Sequence, residues 1–176
     1  MHTTLSLTSQ LIHCQSVTPD DGGCLAIIEQ LLAPYGFDAE YISEGDVKNL
    51  YLKRGHARPL TVFLGHVDVV PPGNLSDWSD PPFSATIRDG YLFGRGSADM
   101  KSGIAAFVIA VIRFIETHRV TQGSLGILLT SDEEGSSIDG IRHVMNVFKE
   151  RGEQIDYCLV GEPSSTESLG DTIKIG

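Results

Sequence analysis

Leu60-Thr61-Val62-Phe63-Leu64-Gly65-His66-Val67-Asp68 is the stretch that decides how this chain folds. Its first six residues are nearly all apolar, the mark of a strand covered on both faces. It then delivers a histidine and an aspartate where the apolar run ends. Two further apolar runs, Ser124–Thr130 and Asp156–Val160, read as strands of the same buried kind, the latter as the last clear core strand. Around them the pattern changes period. Leu25, Ile28, Leu31 and Leu32 recur at helical spacing, so a helix spans Cys24 to Ala33, ended by Pro34 and Gly36. Helices are likewise expected over Leu5–Cys14, Met100–His118 and Asp139–Arg151. Shorter strands fall at Asp38–Ser43 and Asn49–Arg54. A loop rich in Pro, Asp and Ser runs from Val70 to Phe83, followed by a hairpin near Ala85–Phe93 and a Gly-rich turn at Gly94–Gly96. Helices alternating with apolar strands define a layered α/β sandwich. The alternating segment Asp171–Gly176 reads as one more strand.

Composition narrows the function. At 176 residues and 41% hydrophobic content the chain suits one compact domain, large enough to bury roughly 70% of its unfolded surface. A net charge of −10 at pH 7 argues against nucleic acid or an anionic membrane as partner. Neither a signal-peptide pattern nor an apolar run of spanning length is visible, so a cytoplasmic location is expected. Cys14, Cys24 and Cys158 lack metal-site spacing, and Cys158, inside Tyr157-Cys158-Leu159-Val160, reads as a buried, inert thiol.

Four polar clusters sit where an apolar strand ends or a helix begins: Gly65–Asp68, Ser97–Met100, Asp132–Gly135 and Gly161–Pro163. Ligands of open α/β sheets gather at the carboxyl ends of strands. His66 and Asp68 are two residues apart and share a face of an extended chain. An imidazole could bind a metal through one nitrogen while Asp68 accepts a hydrogen bond from the other. Asp99 stands at a helix mouth, as a metal ligand or as a plain N-cap. Glu133 and Glu134 are adjacent carboxylates at a strand break: one could hold a metal while the other moves a proton, or both could form a solvated turn. Glu162, before Pro163, is ambiguous alone. Gly94-Arg95-Gly96 is no phosphate loop, because the third glycine of that fingerprint is replaced by Asp99 and no Gly-Lys-Ser/Thr follows. One histidine and at least three carboxylates suit zinc or a similar divalent ion, and a second histidine should complete a two-metal pair.

With these clusters in view, Gly65-His66-Val67-Asp68-Val69-Val70-Pro71, Gly94-Arg95-Gly96-Ser97-Ala98-Asp99-Met100-Lys101, Thr130-Ser131-Asp132-Glu133-Glu134-Gly135 and Gly161-Glu162-Pro163-Ser164-Ser165 make the chain resemble the succinyl-diaminopimelate desuccinylase family. That family belongs to the zinc aminoacylase and carboxypeptidase superfamily. The resemblance runs from about Leu5 to Gly176. It implies a zinc-exopeptidase-like catalytic domain, with a central mixed, largely parallel sheet flanked by helices, of which residues 1–176 are the N-terminal part. The lid and dimerisation domain is expected to be absent from these residues, and a homodimer is expected only of the full-length form.

The resemblance further implies that Asp99 bridges two metal ions, that His66 and Glu162 complete one site, and that Glu134 belongs to the other. Glu133 is implied as general base and acid, Asp68 as the partner of His66, and the peptide after Asp99 as cis. The implied ions are Zn2+, two per complete active site, with Co2+ or Mn2+ as substitutes. The implied reaction is hydrolysis of N-succinyl-LL-2,6-diaminopimelate to succinate and LL-diaminopimelate. In the family the second metal's histidine lies further downstream. His2 and His13 on the first helix, His56 in a turn, and His118 and His143 on later helices are poor substitutes for it. The expectation is therefore one better-formed metal site and little or no turnover by this chain alone. An acetylornithine deacetylase, an aminoacylase or a non-catalytic metal-binding module are the alternatives.

Overall fold

A computed structural model describes residues 3–118, 122–168 and 171–172. His2, and all but Asp171 and Thr172 of the strand expected at Asp171–Gly176, lie outside the described residues. Among them, helices α1 (Thr4–His13), α2 (Cys24–Leu32), α3 (Ser102–Thr117) and α4 (Ile141–Arg151) surround strands β1 (Asp38–Tyr41), β2 (Asn49–Arg54), β3 (Leu60–His66), β4 (Thr86–Arg88), β5 (Tyr91–Phe93), β6 (Ser124–Thr130) and β7 (Tyr157–Val160). Five strands form one sheet in the order β1-β2-β6-β3-β7, and β4 and β5 form a separate hairpin. The sheet is mixed. β6, β3 and β7 run parallel, while β2 pairs antiparallel with both β1 and β6. Among the described residues there is no lid domain, and no helix is long and apolar enough to cross a membrane.

Burial on both faces explains the apolar runs. On one face Ile127 and Leu129 of β6 and Phe63 of β3 pack under α1, α2 and α3, against Leu11, Leu25, Ile104 and Val108. On the other, Leu128 and Val62 meet Val144 and Phe148 of α4. Successive strand residues therefore alternate between two helical layers. Helix α1 starts with a capping box: the Ser6 N–H donates to the Thr3 hydroxyl at 3.1 Å, and the Thr3 N–H to the Ser6 hydroxyl at 2.9 Å.

Two expectations need correction. The helix expected from Met100 begins only at Ser102, after a wide turn, Ser97–Lys101, in which Asp99 is extended and Met100 is likewise non-helical. The turn drops Met100 into the core while its neighbour Asp99 stays half-exposed beside His66. The second concerns β7. Among the described residues it pairs with β3 alone, and Tyr157, Leu159 and Val160 are exposed. Cys158 is therefore exposed, not buried: an apolar run on an edge strand looks like one in the sheet interior, but its flanks are uncovered.

Candidate metal centre

Strand register assembles the site. β3 and β6 end together, with His66 opposite Thr130. The chain beyond His66 stays tied there, because the Val67 N–H donates to the Thr130 carbonyl at 2.9 Å and the Ser16 hydroxyl to the Val67 carbonyl at 2.7 Å. β7 pairs Val160 with Leu64, so Glu162 emerges on the same rim. Residue 161 must be glycine, since an added Cβ would lie 2.5 Å from Phe63 Cζ and 2.6 Å from Met100 Cε. From the opposite side the Ser97–Lys101 turn presents Asp99, and the Asp99–Met100 peptide is cis, as the resemblance implied. Beneath it Lys101 is fully buried and donates from Nζ to the Leu11 and Cys14 carbonyls at 2.7 and 3.0 Å.

The carboxylates converge on one ring nitrogen. His66 Nε2 stands 3.1 Å from Asp99 Oδ1, 3.4 Å from Glu162 Oε1 and 3.8 Å from Glu133 Oε2. His66, Asp99 and Glu162 each offer a ligand atom within 4.8 Å of the others, and so do His66, Glu133 and Glu134. All six sequence-derived positions are thus brought together. Among the described residues no other histidine joins either group; His13, for example, is engaged with the Phe83 carbonyl at 2.9 Å.

Asp68 is placed differently from the expectation. His66 Nδ1 meets the backbone carbonyl of Asp68 at 2.9 Å, and the Asp68 carboxylate is 3.6 Å away. A carbonyl oxygen can only accept, so Nδ1 carries the proton and donates. The buried carboxylate turns instead to the next strand end, accepting the Glu133 N–H at 3.2 Å and the Glu134 N–H at 3.1 Å. Asp68 fixes the imidazole through its main chain and the Glu133–Glu134 turn through its side chain.

This geometry calls for a cation. With Nδ1–H spent on a carbonyl, a neutral imidazole aims the lone pair of Nε2 at carboxylate oxygens that also carry lone pairs. Only a proton or a metal ion between them relieves the contact. Without metal the proton serves: burial, the largest influence, pulls the imidazole down, but contacts with Asp68 and the charge of Glu162 outweigh it and raise His66 to about 9. Burial and neighbouring carboxylates push Glu134 and Glu162 up. Burial works to raise Asp68 as well, yet His66 and the two amides hold it below its ordinary value. Two ligands at ~2.0–2.2 Å from a tetrahedral ion stand about 3.3–3.6 Å apart, within the observed span of 3.1 to 3.8 Å. The donors fit a divalent metal ion.

Sequence reasoning missed the roles of Lys101 and Met100. Met100 Sδ receives the His66 N–H at 3.3 Å, and nothing in the sequence separates a buried lysine from an exposed one.

Comparison with known proteins places the arrangement. The chain is 57% identical over all of its 176 residues to a protein of Methylococcus capsulatus named succinyl-diaminopimelate desuccinylase, covering 47% of that relative. It is 55% identical over 173 residues to one of Azoarcus with the same name, with 98% of this chain and 46% of the relative covered. The chain thus spans about half the length of the curated relatives it matches. Among solved structures, an M20 family metallo-carboxypeptidase of Sulfolobus solfataricus superposes with a TM-score of 0.79 at 19% identity, covering 93% of this chain and 38% of that one. Human carnosine dipeptidase 1 gives 0.81 at 18%, covering 92% and 38%. These likenesses show the same fold. Residues 62–176, which hold every member of the cluster, match the family described as peptidase family M20/M25/M40, and the chain belongs to that family.

Proposed function

We propose that these residues form the N-terminal part of the catalytic domain of a cytoplasmic, metal-dependent amide hydrolase. Its substrate on this reading is N-succinyl-LL-2,6-diaminopimelate, cleaved to succinate and LL-diaminopimelate for diaminopimelate and lysine synthesis. The observation that carries the chemistry is the convergence of Asp99, Glu162 and Glu133 on His66 Nε2. The substrate follows from the name shared by relatives at 51–57% identity. Asp99, His66, Glu162 and Glu134 would hold the metal, for which zinc suits the mixed imidazole and carboxylate donors, with cobalt or manganese as substitutes. When bound, the ions would supply Lewis acidity that polarises the amide carbonyl and makes water a nucleophile near neutral pH.

The chain's own residues do the rest. Glu133, half-exposed at the rim, takes a proton from the attacking water and returns it to the leaving amine. Asp68 holds the amides of Glu133 and Glu134, so the proton-transfer group and the adjacent metal ligand are set by one buried anion. The Nδ1–H bond to the Asp68 carbonyl keeps Nε2 in its ligand form.

The test is release of succinate from N-succinyl-LL-2,6-diaminopimelate by a polypeptide of the relatives' full length that carries these residues. Turnover that needs added metal and vanishes in Glu133→Gln supports the reading. Equal or faster release of acetate from N-acetylornithine would move it to a deacetylase.

A further inference from the structure

Two of the three cysteines meet where Lys101, from the turn that presents Asp99, grips the end of α1. Cys14 caps the C-terminus of α1 and Cys24 opens α2, so the loop of residues 15–23 is flanked by a thiol at each end. The two side chains are hydrogen-bonded to each other. Cys24 Sγ also lies 3.6 Å from the Leu11 carbonyl oxygen and 3.9 Å from Ser16 Oγ, and Cys14 Sγ lies 3.5 Å from the Gln10 carbonyl oxygen.

Burial gives the pair an order. Cys14 is part-exposed and Cys24 fully buried, so a molecule arriving from solvent reaches Cys24 only by way of Cys14. Charge favours the same order. The carbonyl end of a helix disfavours an anion, but here the Lys101 ammonium occupies it, donating to the Leu11 and Cys14 carbonyls at 2.7 and 3.0 Å. The bond from Cys24 holds the Cys14 thiol below its ordinary value; burial opposes this, Lys101 and His13 assist it, and Asp21 works against it. That same bond, together with burial, pushes Cys24 up. One sulfur is thus ready to ionise and attack, while the other keeps its proton. Cys158 is the contrast. It is exposed on the edge strand β7, yet burial of its sulfur pushes that thiol up.

We propose that Cys14 is a modification site for low-molecular-weight disulfides and that Cys24 resolves the adduct, closing a reversible Cys14–Cys24 bond. The Cys14 thiolate attacks one sulfur of R–S–S–R, whose S–S bond breaks and releases one thiolate. Cys24 gives its proton to solvent and attacks Cys14 Sγ, releasing the second thiolate, and each leaving thiolate takes up a proton. Two protein thiols are oxidised and one small disulfide is reduced to two thiols. The new bond spans the loop that braces the chain on either side of Asp68: the Ser16 hydroxyl donates to the Val67 carbonyl at 2.7 Å, and the Val69 N–H to the Ser16 carbonyl at 2.9 Å.

The reduced, metal-free 176-residue chain is treated with oxidised glutathione at pH 7 and quenched with acid, and its cysteine peptides are weighed by mass spectrometry. The expected product joins Cys14 to Cys24, with two hydrogens lost and no glutathione retained. Glutathione on Cys158 should form at least about threefold more slowly, because less of that thiol is ionised. In urea, where burial is lost, the preference for Cys14 over Cys158 should disappear. Cys24→Ser should trap glutathione on Cys14, and Cys14→Ser should leave Cys24 unmodified; thermal melts check that both variants fold. The measurement on the unsubstituted chain needs neither variant, so misfolding of one leaves the test decisive. Cys14 reacting no faster than Cys158, glutathione persisting on Cys14 of the unsubstituted chain, or Cys24 reacting in folded Cys14→Ser each overturns the proposal.

Discussion

Asp68 separates two accounts of the site, because its main chain and its side chain hold different partners. Its carboxylate accepts two backbone N–H groups, from Glu133 and Glu134, at 3.2 and 3.1 Å. Bonds to a charged acceptor are worth ~1.5–3 kcal/mol each, against ~0.5–1.5 for a neutral one. Asp68→Asn keeps one acceptor oxygen and loses the charge and the second acceptor, so it should cost about 2 kcal/mol. Asp68→Ala leaves both amides without their acceptor, at ~1–3 kcal/mol each, and should cost about 4 kcal/mol. Urea denaturation of the metal-free chain at pH 7 measures both. The metal readout is the sharper one. Because the imidazole is oriented by the Asp68 carbonyl at 2.9 Å, with the carboxylate at 3.6 Å, Asp68→Asn should lower metal affinity less than about tenfold. A carboxylate bonded directly to the ring would be worth ~10–100-fold. A hundredfold loss of metal affinity in Asp68→Asn, with stability unchanged, would refute the division of labour described above.

His66 should titrate near 9 in the metal-free chain, as read by NMR of its ring protons. Its pKa lies above the ordinary ~6.5 of the unfolded chain, so the stability it contributes is full below about pH 6.5 and is lost as pH rises through about 9; a midpoint near 6.5 would refute the charge crowding. Because that proton competes for Nε2, apparent metal affinity should climb about tenfold per pH unit up to about 9, measurable with a competing chelator. Both candidate ligand groups share His66, so the chain should hold one ion tightly and His66→Ala should abolish that binding; calorimetry finding two equally tight ions would contradict this. Gly161→Ala forces a methyl against Phe63 and Met100 and should destabilise by about 1–3 kcal/mol while loosening metal binding through Glu162.

The sequence disclosed the strands best where chemistry and burial coincide. Leu60–Gly65 and Ser124–Thr130 are apolar because both faces are covered, and the polar residues following them fall on one rim because parallel strands end together. Position thus brought His66, Asp99, Glu133, Glu134 and Glu162 forward as candidates, and the family resemblance supplied their implied roles. What escaped detection depends on spatial neighbours rather than on pattern. Tyr157–Val160 has the same composition whether or not another element lies beside it, so its exposure and that of Cys158 were invisible. The insertion of β2 antiparallel between β1 and β6 leaves no mark in a six-residue strand. Asp68 shows a finer limit. The two-residue spacing brought it to His66, but whether its carbonyl or its carboxylate makes the bond is a matter of tenths of an ångström.

Among the described residues one flank of β7 is uncovered, and this has a consequence for anyone handling the protein. Beside the strand lies a hollow of about 340 Å³ walled by Val62, Leu64, Leu128, Ile141 and Met145, so hydrogen-bonding edge and greasy surface are adjacent. Such an edge is a template for another molecule's strand. Opposing this is the net charge of −10, whose mutual repulsion acts over a Debye length of ~10 Å at 0.1 M salt and only ~3 Å at 1 M. Association is therefore expected to grow with salt: dilute buffer should keep the molecules apart, and high-salt washes, or divalent ions added in excess to load the metal centre, should bring these edges together.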